Sequence, residues 1–265
     1  MCIRDRQDAA RDCYRHHGRD HRDPSARAGR NPGQPGGRHR GLIGQPLNRG
    51  SDGDGFNDAG ANAGANACAN SADGAGGGAL LLAAGFSRRF GSDKRRHRFA
   101  DGSSLLAASV ALYSQAFPKL IVVLRPEDDD LAAQVQASAD GANVEVVFCA
   151  DAVEGMGRSL AAGAAAAQAW DYLFVALADM PWVQLNTLAH LRREMQRAGS
   201  DSIVLPVNGN HPGHPVGFGA SYLPALATLT GDQGARSLVQ KAGDRVHRVI
   251  VEDAGVLQDL DTPPA

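Results

Sequence analysis

Residues 79–94 read ALLLAAGFSRRFGSDK, and the change of character along this stretch predicts the fold. The apolar run at 79–84 is typical of a buried strand in a parallel sheet. Gly85 ends the run, and a polar loop leading to Lys94 follows. Small residues after a strand let backbone N–H groups approach a ligand, and successive amides in such a turn bind anions. The stretch therefore predicts a strand followed by a polyphosphate-binding loop.

The loop combines small residues with full positive charges. Arg89 can grip a phosphate with two parallel hydrogen bonds, and Lys94 adds a second cation. A solvated basic turn is the alternative. The loop is neither a Walker loop, because no Gly-Lys-Ser/Thr follows, nor a dinucleotide fingerprint, because the glycine spacing differs. The candidate nucleotide-binding positions are Leu82, Ala83, Ala84, Gly85, Ser87, Arg89 and Lys94.

Composition separates residues 1–78 from residues 79–265. Half of the 32 glycines and 11 of the 27 lysines and arginines lie in the first segment, which contains no valine, lysine or glutamate. Such a segment cannot bury enough apolar surface to offset the entropy of ordering it. We expect a disordered low-complexity tail over 1–78, either natively disordered or not genuine coding sequence, and one domain over 79–265.

Charge and cysteine content disfavour several classes of partner. Residues 79–265 carry 16 basic and 20 acidic side chains, a balance that argues against sequence-independent binding of nucleic acid. Cys149 is the one cysteine of this region, and no cysteine pair has the spacing of a metal site. A lone thiol fits a reducing compartment, and no apolar segment is long enough to span a membrane. We expect a cytoplasmic protein without a nucleic-acid or membrane partner.

Strand and helix patterns alternate after residue 79. Strands are predicted near 119–124, 143–148, 171–178, 202–207 and 245–251. Helices are predicted near 103–115, 127–138, 157–169 and 184–197, with a Gly/Pro/His loop and two short helices before the last strand. This order predicts an α/β domain with a single doubly wound, mostly parallel, Rossmann-like sheet and helices on both faces.

Further candidates follow from where ligands bind in such a sheet, beyond the carboxyl ends of its strands. Asp179 directly follows an apolar strand, although an aspartate there is also a common turn former. Ser159 lies near the start of an Ala-rich helix, where free N–H groups favour an anionic ligand. Asp259 and Asp261 lie two residues apart, so in an extended segment their side chains share one face.

Several motifs, in one order, resemble those of the MobA-like nucleotidyltransferases and most closely the molybdenum cofactor cytidylyltransferases. They are L-A-A-G-x-S-x-R-x-G-x-x-K at 82–94, G-M-x-x-S-L-x-x-G at 155–163, L-A-D-M-P at 177–181, G-H-P-V at 213–216, G-D-x-G-A-R at 231–236 and D-L-D-T-P at 259–263.

The resemblance implies Mg²⁺-dependent transfer of CMP from CTP to the phosphate of a molybdopterin-type cofactor, with release of pyrophosphate. A molybdoenzyme or its chaperone is the implied protein partner. L-A-A-G rather than L-A-G-G favours CTP over GTP, the methyl group of Ala84 narrowing the base pocket. The implied catalytic residues are Arg89, Lys94 and Asp179, with Ser159 at the nucleotide. The implied metal ligands are Asp179, Asp259 and Asp261, and the implied acceptor residues are His214, Pro215, Asp232 and Arg236.

A departure from the family pattern after Lys94 and two alternative functions leave the assignment open. Residues 95–98, Arg-Arg-His-Arg, replace an apolar stretch common in the group, which either alters the acceptor or changes only the surface. The alternatives to cofactor cytidylylation are activation of another phosphorylated acceptor, such as a sugar phosphate, and a non-catalytic chaperone that handles the cofactor.

Overall fold

The computed structural model describes residues 76–87, 90–232 and 234–261. The predicted tail lies outside the described residues up to residue 75, and its character stays a prediction. Within the described ranges the eight strands are β1 Gly78–Leu82, β2 Lys119–Leu124, β3 Asn143–Phe148, β4 Tyr172–Leu177, β5 Ile203–Asn208, β6 His211–Pro212, β7 Val216–Gly219 and β8 Val246–Ile250.

The same ranges contain six α-helices and several short 3₁₀ turns. The helices are α1 Leu105–Ala116, α2 Asp129–Ser138, α3 Met156–Ala166, α4 Leu185–Ala198, α5 Leu223–Leu226 and α6 Arg236–Ala242. The 3₁₀ turns are Lys94–Arg96, Ala150–Glu154, Ala220–Tyr222, Gly243–Arg245 and Ala254–Leu257. No helix of the described residues is both long and apolar enough to cross a membrane.

The strands form one sheet in the order β3-β2-β1-β4-β7-β5-β6, with β8 paired to β5. β1 pairs in parallel with β2 on one side and with β4 on the other. The chain therefore adds β2 and β3 on one side of β1, and then crosses back to add β4 and the later strands on the other side. This creates a topological switch point between β1 and β4, where ligands bind in open α/β sheets. The predicted α/β fold with a mostly parallel sheet is confirmed.

Side chains of β1 alternate between two hydrophobic cores, one on each face of the sheet. Ala79 and Leu81 belong to the core that includes α1, α2 and α4, whereas Leu80 belongs to the core that includes α3, α5 and α6. Each buried leucine contributes about 1.5–3 kcal/mol relative to an exposed one. Burial on both faces explains why β1 reads as a continuous apolar run instead of an alternating pattern.

Two parts of the predicted pattern differ from the structure. Residues 211–212 and 216–219, predicted as loop, form β6, which pairs with β5, and β7, which lies antiparallel between β4 and β5. The two glycines of β7 and the adjacent Pro215 favour a loop by local pattern. The strand β7 forms because Val216 and Phe218 are buried in the core. Helix α3 ends at Ala166 rather than 169, and α2 begins at Asp129 rather than 127.

Candidate active site

The loop after β1 continues the sheet before turning into solvent. The backbone N–H of Ala83 donates to the carbonyl of Val123 at 3.0 Å, as a further rung of the parallel ladder. Gly85 and Phe86 are exposed, and Ser87 adopts a φ of 46°. The Ser87 hydroxyl accepts the backbone N–H of Lys94 at 3.4 Å, which returns the chain toward the start of the loop. Arg88 and Arg89 lie outside the described residues, so the role of Arg89 stays a prediction.

Lys94 lies within a group of acidic side chains at the carboxyl edge of the sheet. Its Nζ donates to Oδ2 of Asp179 at 2.5 Å and to the carbonyl of Leu260 at 3.5 Å, and lies 3.9 Å from Oδ1 of Asp261. Asp179 directly follows β4, and its backbone carbonyl accepts the N–H of Leu260 at 2.9 Å. Leu260 is itself buried against Phe90 and Leu105. These contacts bring the end of the described chain to the switch point.

Three carboxylates meet at this position. Oxygen atoms of Asp179, Asp259 and Asp261 all lie within 4.8 Å of one another. Oδ1 of Asp179 is shielded from water and accepts no hydrogen bond from the described residues. Burial raises the pKa of Asp259, and the charges of Asp261 and Asp179 raise it further, whereas Lys94 opposes them. Carboxylate oxygens with excess negative charge are a donor set that suits a hard divalent cation.

The glycine-rich start of α3 packs on the loop before α6. The backbone N–H of Gly157 donates to the carbonyl of Gly231 at 2.7 Å. A Cβ at Gly157 would lie 2.7 Å from the Gly231 and Thr230 carbonyl oxygens, so glycine is required by this close approach. Ser159, in the first turn of α3, is buried. Asp232 and Arg236 are exposed. Two predicted motifs far apart in the sequence therefore lie side by side.

His214 and Pro215 lead into β7 next to the central strand. The backbone N–H of His214 donates to the carbonyl of Val256 at 2.9 Å. Burial lowers the pKa of the His214 imidazole, against the opposing effects of the Val175 carbonyl and the Asp179 charge. Its Nδ1 is shielded and has no hydrogen-bond partner in the described part of the chain. A neutral imidazole with an unused ring nitrogen is therefore placed near Asp179.

Two side chains lie deeper than the sequence predicted. The methyl group of Ala84 does not narrow an open pocket, because the residue is 2% exposed and packs in the core beneath α3; contact of its backbone with the nucleotide stays a prediction. Arg95 does not lie at the surface, because it is 4% exposed and surrounded by ion pairs, whereas Arg96 and Arg98 are exposed. The burial of Arg95 could not be predicted from the sequence, since a run of basic residues usually marks a solvated face.

Neither the backbone conformation nor the packing of the described residues requires a glycine at position 85. Gly85 is absent from the glycines with positive φ, and a Cβ built on it meets no atom of the described residues within 4 Å. Neither backbone strain nor packing therefore explains the glycine. Close approach of a ligand to the backbone is the remaining physical reason.

We expect Gly85→Ala to fold normally and to raise the KM for the nucleotide by about tenfold, which corresponds to about 1.4 kcal/mol. The added methyl group would occupy space that a phosphate needs. Gly163→Ala is the matched control, because its Cβ would overlap the side chains of Leu80 and Val123. Overpacking there costs about 1–3 kcal/mol of stability without entering the loop. An unchanged KM in a folded Gly85→Ala protein would contradict the interpretation of the loop.

The small-residue loop, the lysine and the grouped carboxylates lie together at the switch point of the sheet, where open α/β sheets bind their ligands. The sequence comparison gives the class of protein. Residues 79–247 match the MobA-like NTP transferase domain. The chain belongs to this family and is a nucleotidyltransferase.

Named relatives and solved structures cover most of the same region. The chain is 31% identical over 194 residues to nicotine blue oxidoreductase from Paenarthrobacter nicotinovorans, and 30% identical over 192 residues to the purine catabolism protein PucB from Bacillus subtilis (strain 168). Each alignment covers 69% of this chain and 91% of the relative. The crystal structure of Rv0371c from Mycobacterium tuberculosis H37Rv is 28% identical, with a TM-score of 0.58 over 72% of this chain and 94% of that one. A structure of Rv0371c in complex with manganese is 26% identical, with a TM-score of 0.52 over 68% of this chain and 89% of that one.

Proposed function

We propose that this protein transfers CMP from CTP to the phosphate of a molybdopterin-type cofactor and releases pyrophosphate. The observation that carries the transfer chemistry is the group of Lys94, Asp179, Asp259 and Asp261 beside the loop after β1. The choice of CTP and of the cofactor rests on the resemblance of L-A-A-G and G-H-P-V to the cytidylyltransferase motifs.

Asp179, Asp259 and Asp261 would hold the divalent cation, for which we propose Mg²⁺. Their oxygen donors suit a hard cation, and Oδ1 of Asp179 has no hydrogen-bond partner among the described residues. The manganese complex of Rv0371c, a related protein, supports a divalent metal. When bound, the cation would neutralise phosphate charge and favour attack at the α-phosphorus.

The chain itself would mainly position and neutralise the phosphates. The amides of the loop after β1 would bind the phosphate chain, with Lys94 and the expected Arg89 adding positive charge. Lys94 would exchange part of its pairing with Asp179 for phosphate oxygens. Ser159, in the first turn of α3, is proposed to contact the nucleotide. Positioning and charge stabilisation of this kind can supply most of the rate enhancement of a group transfer.

The attacking group needs no general base. A phosphate monoester with a second pKa of about 6 is mostly a dianion near neutral pH. One of its oxygens forms a bond to the α-phosphorus of CTP while the bond from that phosphorus to the α–β bridging oxygen breaks. The electron pair leaves with pyrophosphate, and CMP remains joined to the acceptor. His214 is then not needed as a general acid or base, and we propose that it contacts the acceptor.

The acceptor would lie on the side of the sheet edge formed by β7 and the start of α6. His214 and Pro215 are proposed to form one wall, with Asp232 and Arg236 at the other. A sugar phosphate and a chaperone role are the competing outcomes.

We expect kcat/KM to be about tenfold or more higher for CTP than for GTP, the scale on which a shaped pocket discriminates. Equal values for the two nucleotides would remove the assignment of CTP. Ala84→Gly tests whether the methyl group of Ala84 sets the nucleotide preference. Because Ala84 is buried in the core, this change is expected to lower stability by about 1 kcal/mol and to leave the nucleotide preference unchanged.

The product identifies the acceptor. Mass spectrometry should find CMP joined to molybdopterin, and no product with a panel of sugar phosphates. If a product formed with a sugar phosphate and not with molybdopterin, the sugar phosphate would replace molybdopterin as the proposed acceptor. Tight binding of the cofactor without a nucleotide-linked product would favour the chaperone. Oxidoreductase activity, which the name of one relative carries, would contradict transferase activity as the main function.

A further inference from the structure

We propose that Arg95, held by Asp93 and Asp128, is a positioning residue that sets the shape of the nucleotide-binding loop. This proposal rests on the proposed role of that loop. Arg95 follows Lys94 in the 3₁₀ turn Lys94–Arg96. Its side chain is 4% exposed, as is that of Asp128. Two fully charged groups are therefore buried together directly behind the loop.

All five N–H donors of the Arg95 guanidinium are used. Nε donates to Asp93 Oδ1 at 2.8 Å, and Nη2 donates to Asp93 Oδ2 at 2.7 Å and to Asp128 Oδ1 at 2.8 Å. Nη1 donates to Asp128 Oδ2 and to the backbone carbonyl of Ala83 at 2.9 Å. A lysine has three donors on one nitrogen and cannot reproduce this planar arrangement. The site therefore requires arginine for its geometry as well as its charge.

Arg125 extends the network to the other end of the loop. Its backbone N–H donates to Asp128 Oδ2 at 2.9 Å, and its Nη2 lies 3.5 Å from Asp93 Oδ2. The guanidinium carbon of Arg125 lies 4.7 Å from the centre of the Phe86 ring, a cation–π distance. The loop is thus held at the Ala83 carbonyl by Arg95 and at the Phe86 ring by Arg125. Gly85, proposed to face the phosphates, lies between these two points.

The same network also supports the residue that carries the catalytic charge. Oδ1 of Asp93 accepts the backbone N–H of Arg95 at 3.2 Å and caps the turn that begins at Lys94. The loop and Lys94 are therefore both held by one group of two carboxylates, Asp93 and Asp128, and two guanidinium ions. The contacts of Arg95 go to Asp93, Asp128 and Ala83, so its effect on the reaction passes through the loop.

The test compares Arg95→Lys and Asp128→Asn with Arg96→Lys and Asp130→Asn in the full chain. Arg96 and Asp130 form the neighbouring ion pair, and their side chains are 48% and 59% exposed. Because Nε of Arg96 also lies 3.5 Å from Oδ2 of Asp93, Asp130→Asn is the stricter of the two controls. We expect the first two variants to lower kcat/KM for CTP by about 10–100-fold, the scale of a small misplacement of binding groups. The control variants should change it by less than about twofold, because exposed ion pairs contribute little.

Hydrogen exchange of the backbone amides at 83–87, measured without substrate, gives a second readout that does not depend on the reaction. Faster exchange in Arg95→Lys or Asp128→Asn, at temperatures where the protein is folded, supports the proposal. Lower melting temperatures with kinetics and loop exchange equal to those of Asp130→Asn would overturn it. If Arg95→Lys does not fold, Asp128→Asn decides, since it retains the shape and one acceptor oxygen. Absence of pyrophosphate release by the wild type would instead remove the proposed function, while the exchange comparison would still judge the positioning role.

Discussion

Asp179→Asn is expected to lower turnover by at least about 100-fold, the effect of removing one preorganised electrostatic group from an active site. The change keeps the shape and one oxygen but removes the charge that attracts a hard cation. Oδ1 of Asp179 makes no hydrogen bond to the described protein and Oδ2 pairs with Lys94. The carboxylate therefore contributes mainly to the site and little to packing. Excess Mg²⁺ or Mn²⁺ should restore part of the rate.

Asp253 provides the opposite control, because it is a buried aspartate whose carboxylate binds the backbone of its own fold. Asp253 accepts the backbone N–H of Gln184 at 2.8 Å and of Gly255 at 2.9 Å. Asp253→Asn should lower stability by about 1–3 kcal/mol, the cost of disturbing a buried hydrogen-bonded group, and leave the metal dependence of kcat unchanged. Melting temperature and metal-dependent kcat, measured on one preparation of each variant, separate the two roles. A folded Asp179→Asn protein with near wild-type turnover would remove Asp179 from the proposed metal site.

Lys94→Met is expected to lower kcat/KM for the nucleotide by about 100–1000-fold and to make stability depend on divalent cations. The lysine supplies the positive charge among Asp179, Asp259 and Asp261. Without it, the carboxylates repel one another in a partly buried site. The melting temperature of Lys94→Met should fall below that of the wild type in EDTA and recover when Mg²⁺ or Mn²⁺ is added.

Lys119→Met is the matched control for Lys94→Met. Lys119 begins β2, at the opposite edge of the sheet from the loop, and its Nζ lies 5.7 Å from the centre of the Trp170 ring. Its loss should change neither the kinetics nor the response of the melting temperature to cations. Equal melting temperatures of Lys94→Met with and without cations, together with unchanged kinetics, would contradict the proposed electrostatics of the site.

The parts of the fold that depend on local pattern were predictable from the sequence. β2 and β3 begin and end where the apolar runs predict, because each run is bounded by polar or helix-forming residues. β7 was not predictable, because four residues with two glycines have little intrinsic preference for a strand. β7 forms by pairing with β4 and β5, and these strands are adjacent to it only in the folded chain.

The site shows the same division. The grouping of Lys94 with Asp179 follows from the rule that ligands bind beyond the carboxyl ends of parallel strands. The burial of Arg95 did not follow, because its partner Asp128 lies 33 residues away and a basic run normally predicts a solvated surface. The sequence left open which of Asp259 and Asp261 faces Asp179, and the structure brings oxygens of both into the group.

Pyrophosphate release by the full chain is the measurement that tests the central claim most directly. The assay compares CTP, GTP, ATP and UTP, each with and without molybdenum cofactor, in Mg²⁺ and in EDTA. We predict release that requires CTP, the cofactor and Mg²⁺ together, in an amount equal to the cytidylylated cofactor formed. A folded protein that binds the cofactor but releases no pyrophosphate with any of the four nucleotides would contradict the assignment of this site to nucleotidyl transfer onto that cofactor.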